Sequence, residues 1–229
     1  MTSRWAVIPV KHAAKSKQRL AEILRPVERQ QLTLVMLRDV LDIVCKSHSL
    51  NGVLVATRSA QVGEIAQRCG AEVYTESADA DHSVAVSQAC KHLYSAKQAN
   101  TVMVIPGDVP CITSEDIDVL LSKHDRITLI PDSRGEGTNG IIASPPNALE
   151  FQFGKKSLGR HSVSASESGI LAQIIVNKNM SLDIDYPEDL ARVIAELPAD
   201  GSGTRHFLED SGISGRIAKI QYLQSTNLH

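Results

Sequence analysis

Two rhythms of apolar and polar residues alternate along the chain. Short apolar runs recur at Trp5–Val10, Gly52–Thr57, Ala71–Tyr74, Thr101–Ile105, Ile127–Ile130 and Gly140–Ala143. Each has the length of a strand. Trp5–Val10 lacks the in–out alternation of a half-exposed strand, which predicts burial on both faces, as in a parallel sheet. Longer stretches with apolar residues at helical spacing lie between the runs. One starts near Pro26 and carries Leu34, Leu37, Val40, Leu41 and Val44, with the proline suited to a first helical turn. Val62–Cys69 reads as a helix stopped by Gly70, and Ser83–Lys97 as a helix with Val86, Cys90 and Leu93 on one face. Thr113 or Ser114 caps another helix through Lys123, with Glu115 and Asp116 in its first turn, where the dipole favours acids. Lys155–Glu167 reads as a further helix, Ile170–Val176 and Leu182–Ile184 as short strands, and Tyr186–Leu197 as a helix with a proline near its start. Strands alternating with helices predict an α/β fold with a mostly parallel sheet. Residues 198–204 (Pro-Ala-Asp-Gly-Ser-Gly-Thr) read as a linker, and Arg205–Gln224 as a docked helix or strand or a mobile tail. The chain is therefore expected to be one domain over residues 1–197 followed by a linker and tail over 198–229.

Composition narrows the function classes. At 229 residues and 42% hydrophobic, the chain can bury a core without a disulfide or structural metal. Its formal charge of -2, from 24 basic and 26 acidic residues, gives no electrostatic footprint for nucleic acid, and 3% aromatics offer no stacking platform. Cys45, Cys69, Cys90 and Cys111 lie more than about twenty residues apart with no C-x-x-C pair, so reduced, buried thiols are expected rather than a zinc site. Pro9 interrupts the first apolar run and Lys11 ends it, leaving too short a core for a signal peptide, and no run reaches bilayer length. The expectation is a cytoplasmic protein with no nucleic-acid or membrane partner.

Ligands of open parallel sheets bind at the carboxyl ends of the strands. Four polar segments fall there. Lys11, Lys15, Lys17 and Arg19 follow the first strand directly, which suits an anion or polyphosphate but equally a solvated basic loop. Asp108, in Pro106-Gly107-Asp108-Val109-Pro110, follows the strongest strand and could hold magnesium through hard oxygen ligands, or serve only its own turn. Asp183 and Asp185 would share one side of a strand, where two carboxylates repel unless a cation lies between them or one is protonated. The alternative is that Asp185 only caps the helix at Pro187. The fourth segment, Asp132–Gly140, contains a literal G-x-G-x-x-G, but a strand-like run follows it and no acid sits about twenty residues on, so a dinucleotide fingerprint is rejected. Its backbone amides could still cradle a phosphate. Further along, Gly154, Lys155, Lys156 and Ser157 at the start of a helix offer anion donors or an ordinary cap. The histidines, His161 among them, lack metal spacing and read as surface or satisfied core residues.

Taken together, Ile8-Pro9-Val10-Lys11 with Lys17 and Arg19, Pro106-Gly107-Asp108-Val109-Pro110, Gly137-Thr138-Asn139, Phe153-Gly154 with Ser157 and His161, and Leu182-Asp183-Ile184-Asp185 with Pro187-Glu188-Asp189-Leu190 form an ordered set. This set resembles the phospholactate guanylyltransferase family of deazaflavin (F-420) coenzyme biosynthesis, including its phosphoenolpyruvate and 3-phosphoglycerate versions. The resemblance covers roughly residues 5–197. It implies a three-layer, nucleotidyltransferase-type (Rossmann-like) α/β fold. It implies that Asp108, Asp183 and Asp185 bind Mg2+. Thr138, Gly154 and Ser157 would hold the phosphorylated three-carbon acid, and Lys11, Lys17 and Arg19 the nucleotide phosphates, with Lys17 and Asp108 catalytic. The substrates implied are GTP and the acid, with handover of the product to the downstream deazaflavin transferase. The chain departs from the family at Asp81-His82-Ser83-Val84-Ala85, where a Gly-Leu-Asn-x-Ala stretch is usual, and at Gln18, where serine or threonine is common.

The reaction implied is nucleotidyl transfer. A phosphate monoester with a second pKa of about 6 is already dianionic, so it needs no general base. Alternatives on the same fold are a sugar-nucleotide or molybdopterin nucleotidyltransferase, which normally has glycines after the first strand, or a non-catalytic nucleotide-sensing domain.

Overall fold

The apolar runs assemble into one seven-stranded sheet. The protein is described by a computed structural model over residues 2–11, 13, 16–78, 80–198 and 201–218. Its strands are β1 (Arg4–Pro9), β2 (Gly52–Ala56), β3 (Glu72–Tyr74), β4 (Thr101–Val104), β5 (Ile127–Pro131), β6 (Thr138–Ala143) and β7 (Gln173–Ile174). Their spatial order is β3-β2-β1-β4-β6-β5-β7. β3, β2, β1 and β4 pair in parallel, whereas β6 runs antiparallel to both β4 and β5. The reversal follows from the short loop between β5 and β6, since a hairpin joins only antiparallel strands. The literal G-x-G-x-x-G starts in this loop at Gly135 and ends within β6 at Gly140, and in the loop Asp132 accepts the backbone N–H groups of Arg134 and Glu136.

Helices cover both faces. α1 (Pro26–Val44), α2 (Ala60–Arg68) and α4 (Ser114–Lys123) lie on one side, and α3 (His82–Ala96) and α5 (Ser157–Glu167) on the other. The two-residue period of β1 sorts its side chains: Ala6 and Ile8 join the first layer, Trp5 and Val7 the second. Both faces of β1 are thus buried, as its lack of alternation predicts. Cys90 and Cys111 are buried, while Cys45 and Cys69 are only half-buried.

The C-terminal third differs from its sequence reading in three places. Ile170–Val176 contributes only the two-residue edge strand β7. Leu182–Ile184 forms no strand among the described residues. Its alternation serves a different purpose, because Leu182 and Ile184 pack into a cluster between α1 and α6 (Pro187–Glu196) with Met36, Leu190 and Val193. The supposed linker contains the start of α7 (Gly203–Asp210), where Ser202 caps the helix by accepting the Arg205 N–H. Asp39 of α1 accepts the N–H groups of Gly203 and Thr204 and the Ser202 hydroxyl, so α7 is pinned to the back of α1. Leu208, Ile213 and Ile217 complete the same apolar cluster. Residues 199–200 of the linker reading and 219–224 of the tail reading lie outside the described residues.

At the sheet edge opposite the strands' carboxyl ends, His124 closes α4. Its ring bonds Thr128 Oγ1 at 2.9 Å and Ser144 Oγ at 2.9 Å. Burial pushes its pKa down to about 4. The ring is therefore neutral in the folded protein, while the unfolded chain takes up a proton below about pH 6.5. The stability His124 contributes is complete above that pH and is lost as pH falls toward 4. Against His124→Gln, wild-type stability should drop by about 2 kcal/mol more between pH 7.5 and pH 5, read by urea melts at each pH. Parallel pH curves for the two proteins would contradict this.

Candidate active site

The carboxyl ends of β1 and β4 and the start of β6 meet at one edge of the sheet. Because β6 is reversed, its first residues, Thr138 and Asn139, stand where its neighbours end. The segment after β1 brings Lys11 and Lys17, and the turn after β4 brings Gly107 and Asp108. The segment before α6 brings Asp183 and Asp185. Its alternation places both carboxylates on the open side while Leu182 and Ile184 bury on the other. Asp189 in the first turn of α6 accepts the N–H groups of Asp185 (3.0 Å) and Tyr186 (2.7 Å), which fixes that segment.

Lys17 is the centre of the cluster. It adopts a left-handed backbone conformation (φ 55) and its side chain is 5% exposed. Its ammonium donates to Asp108 and, at 3.0 Å, to Asp185. Burial alone would lower its pKa, but the charges of Asp108 and Asp185 outweigh burial and hold it above the ordinary lysine value. Asp185 also accepts from Arg19 at 2.9 Å, and burial is again outweighed, here by Lys17, so its pKa lies below the ordinary value. Asp183 behaves oppositely. Burial first, and the charge of Asp108 next, push its carboxyl up to about 6, against the bond it accepts from Asn139 Nδ2 at 3.0 Å.

Among the described residues, no three His, Cys, Asp or Glu side chains stand together as a ready metal cage. Lys17 instead bridges two of the carboxylates. The donor chemistry nevertheless suits a divalent cation. Asp108, Asp183 and Asp185 line one cavity with hard-oxygen donors, and the charge of Asp108, which adds to burial in raising the Asp183 carboxyl, is one that such a cation would offset.

Two cavities open on this cluster and share His82, Thr138, Asn139, Phe153, Asp183 and Asp185 as a common wall. One, of about 510 Å³, extends past Lys11, Ser16, Lys17, Thr33 and Gly107. The other, of about 810 Å³, extends past Arg19, Arg134, Gly154, Lys156 and Ser157. Lys11, which lines the first cavity, donates to Ala80 O at 3.0 Å. In the second, the amino end of α5 lines the wall, a favourable setting for anions, whereas the amino end of α3 already holds the Asp81 carboxylate. Gly154 has φ +107, a conformation that side chains rarely adopt, just before α5. The structure thus brings Lys11, Lys17, Arg19, Asp108, Thr138, Gly154, Ser157, Asp183 and Asp185 to one connected site. Lys15 lies outside the described residues.

The family model described as "Guanylyl transferase CofC like" matches residues 4–224. The chain belongs to this guanylyl transferase family. It is 31% identical over 208 residues to a phosphoenolpyruvate guanylyltransferase of Conexibacter woesei, covering 89% of this chain and 93% of that one. It is 31% identical over 204 residues to a 2-phospho-L-lactate guanylyltransferase of Methanothermobacter thermautotrophicus, covering 89% and 88%. Among solved structures, the fold is similar to a protein of Desulfovibrio desulfuricans G20 assigned as a nucleotide-diphospho-sugar transferase (TM-score 0.75, 14% identity, 96% and 98% covered). A Methanothermobacter nucleotidyl transferase is also similar (TM-score 0.64, 17% identity, 92% and 100% covered). The three-layer nucleotidyltransferase-type fold is thereby established.

Several site residues escaped the sequence reading. Arg134 lies over the Tyr186 ring at 3.9 Å, with Arg19 at 4.7 Å, so two guanidinium groups flank one aromatic beside Asp185. Only the polar character of the hairpin loop hinted at Arg134. Asn139 had a place in the motif but no role; here it orients Asp183 and also donates to Met180 O. At the departure from the family pattern, Asp81 caps α3, Ser83 Oγ accepts the Phe153 N–H at 2.9 Å, and His82 meets the Phe153 ring edge-on. Ser83 is therefore committed to holding Phe153.

Proposed function

We propose that this protein transfers GMP from GTP to a phosphorylated three-carbon acid, releasing pyrophosphate, in deazaflavin (F-420) coenzyme biosynthesis. The observation that carries this reading is the pair of cavities meeting on the Lys17–aspartate cluster in a chain of the guanylyl transferase family. The nucleotide takes the cavity beside Lys11 and Lys17, and the acid takes the one beside Gly154 and Ser157.

In the reaction a phosphate oxygen of the acid attacks the α-phosphorus of GTP. A new P–O bond forms as the bond to the β-phosphate oxygen breaks, and its electrons leave with pyrophosphate. The attacking phosphate is largely dianionic at neutral pH, so no side chain need remove a proton. The obstacle is repulsion between two anions. Lys17, Arg19 and Lys11 offset that charge, and Thr138, Ser157 and the amino end of α5 bind the acid. Asp108, Asp183 and Asp185 are assigned to Mg2+, which would screen the two phosphates from each other. The product joins two phosphates in an anhydride, an activated group suited to handover to the downstream deazaflavin transferase. Consumption of GTP suits the cytoplasm, and among the described residues no helix is long and apolar enough to cross a membrane.

The test is pyrophosphate release with GTP, ATP or CTP, Mg2+, and phosphoenolpyruvate, 2-phospho-L-lactate or 3-phospho-D-glycerate in turn. Release that needs both GTP and one acid is expected. Release with a sugar phosphate and none of the acids would overturn the reading in favour of a sugar-nucleotide enzyme.

A further inference from the structure

His161 is wholly buried, yet it stands one hydrogen bond behind the second cavity. Its two nitrogens face opposite demands. Nε2 lies 2.8 Å from the backbone nitrogen of Gln152, which can only donate. Nε2 is therefore an acceptor, and the single proton of the neutral ring sits on Nδ1. Burial, with Arg160 adding to it, keeps the pKa down to about 4, so the ring stays neutral at working pH.

That tautomer has a consequence 3.0 Å away, at Thr138 Oγ1. Nδ1–H donates to this oxygen, so the Thr138 hydroxyl cannot give its own proton to His161. Ser157 is held in the same way. The backbone N–H of Thr138 donates to Ser157 Oγ at 2.9 Å, which leaves the Ser157 proton to be given elsewhere. Both residues line the second cavity, next to the amino end of α5. Two hydroxyls, each already accepting from the protein, act toward the cavity as donors. The same cavity is also lined by Asp132, Glu136, Asp183 and Asp185, so these two hydroxyls, with the amino end of α5, mark the part of its wall that presents donors to an anionic oxygen, which only accepts.

We propose that His161 is a positioning residue: through Nδ1–H it fixes the Thr138 hydroxyl as a donor to an anionic oxygen of the phosphorylated acid. This rests on the assignment of the second cavity to the acid. The Phe153 ring packs edge-on against His161 (4.9 Å between centroids) and holds the imidazole in place.

Two amide side chains separate positioning from mere support. Asparagine places a donor near the Nδ1 position but leaves the Gln152 N–H unmet. Glutamine places an acceptor near the Nε2 position but gives Thr138 nothing. Kinetics would use whichever of the three acids supports the highest rate, with folding of each variant checked by thermal melts. Thr138→Val should raise KM for the acid about tenfold or more, the scale of a hydrogen bond to a charged group, with a clearly smaller change in KM for GTP. His161→Gln should raise KM for the acid similarly, and adding it to Thr138→Val should cost nothing further. His161→Asn should recover most of the affinity. An unchanged acid KM in Thr138→Val would overturn the assignment of the cavity itself. A raised KM there with a normal one in His161→Gln would overturn only the role of His161, as would equal losses in the Gln and Asn variants. If the variants fail to fold, long-range 1H–15N correlation spectra of the wild-type protein decide, because a proton on Nε2 of His161 contradicts the proposal and one on Nδ1 supports it.

Discussion

Asp108→Asn should abolish pyrophosphate release, by about 1,000-fold or more, in a protein that still folds. The size follows from the assignment of Asp108, which shares Lys17 with Asp185 and whose charge acts on Asp183, to the proposed cation site. On the proposed assignment, a divalent cation bound by these carboxylates would supply several kcal/mol of charge stabilisation, and loss of one anionic ligand would forfeit most of it. Stability responds differently. The substitution removes one partner of buried Lys17 but also relieves the repulsion that helps hold the Asp183 carboxyl up at about 6. These effects oppose each other, so the melting temperature should move by only a few degrees, as calorimetry would report. Activity within about tenfold of wild type in the folded variant would contradict the assignment of Asp108.

Lys17→Met should be damaging in two separable ways. Turnover should fall by about 100-fold to 1,000-fold, because the ammonium proposed to offset the charge of the reacting phosphates is gone. Metal-free stability should also fall, by about 2 kcal/mol, since Asp108 and Asp185 lose their shared counter-ion. That figure is below the usual cost of breaking a buried pair because the carboxylates are 27% and 38% exposed. Added Mg2+ should restore much of the lost stability without restoring turnover. A melting temperature indifferent to Mg2+ in this variant would contradict both the ion-pair account and the metal assignment.

Much of the fold was legible because its central strands are buried on both faces. Trp5–Val10 and Thr101–Ile105 lack the polar–apolar alternation of a half-exposed strand, a pattern that little else in a chain of this composition would need. The final third was less legible for a physical reason. Leu182 and Ile184 alternate with Asp183 and Asp185 as strand residues do, but the burial that drives the alternation comes from α1 and α6 rather than a neighbouring strand. Periodicity records which side is buried and is silent on what buries it. The same limit hid α7, whose start reads as linker because Gly201, Ser202 and Gly203 are turn residues. Asp39, more than 160 residues earlier, gives Ser202, Gly203 and Thr204 their partner. At the site, charged and glycine residues stood out by type and spacing, whereas Arg134 and Asn139 acquire their settings only through contacts distant in sequence. His161 illustrates the boundary best. A satisfied core histidine was the correct reading of its environment, yet the identity of its partner, Thr138, is a fact of three dimensions.

The most direct test of the account is 31P NMR of the protein with GTP, Mg2+ and each acid in turn. The account predicts pyrophosphate accumulating only when acid is present, matched by a new pair of coupled resonances from two different phosphates joined in an anhydride, or by GMP where that product hydrolyses. GDP with orthophosphate, or pyrophosphate formed equally without any acid, would contradict it.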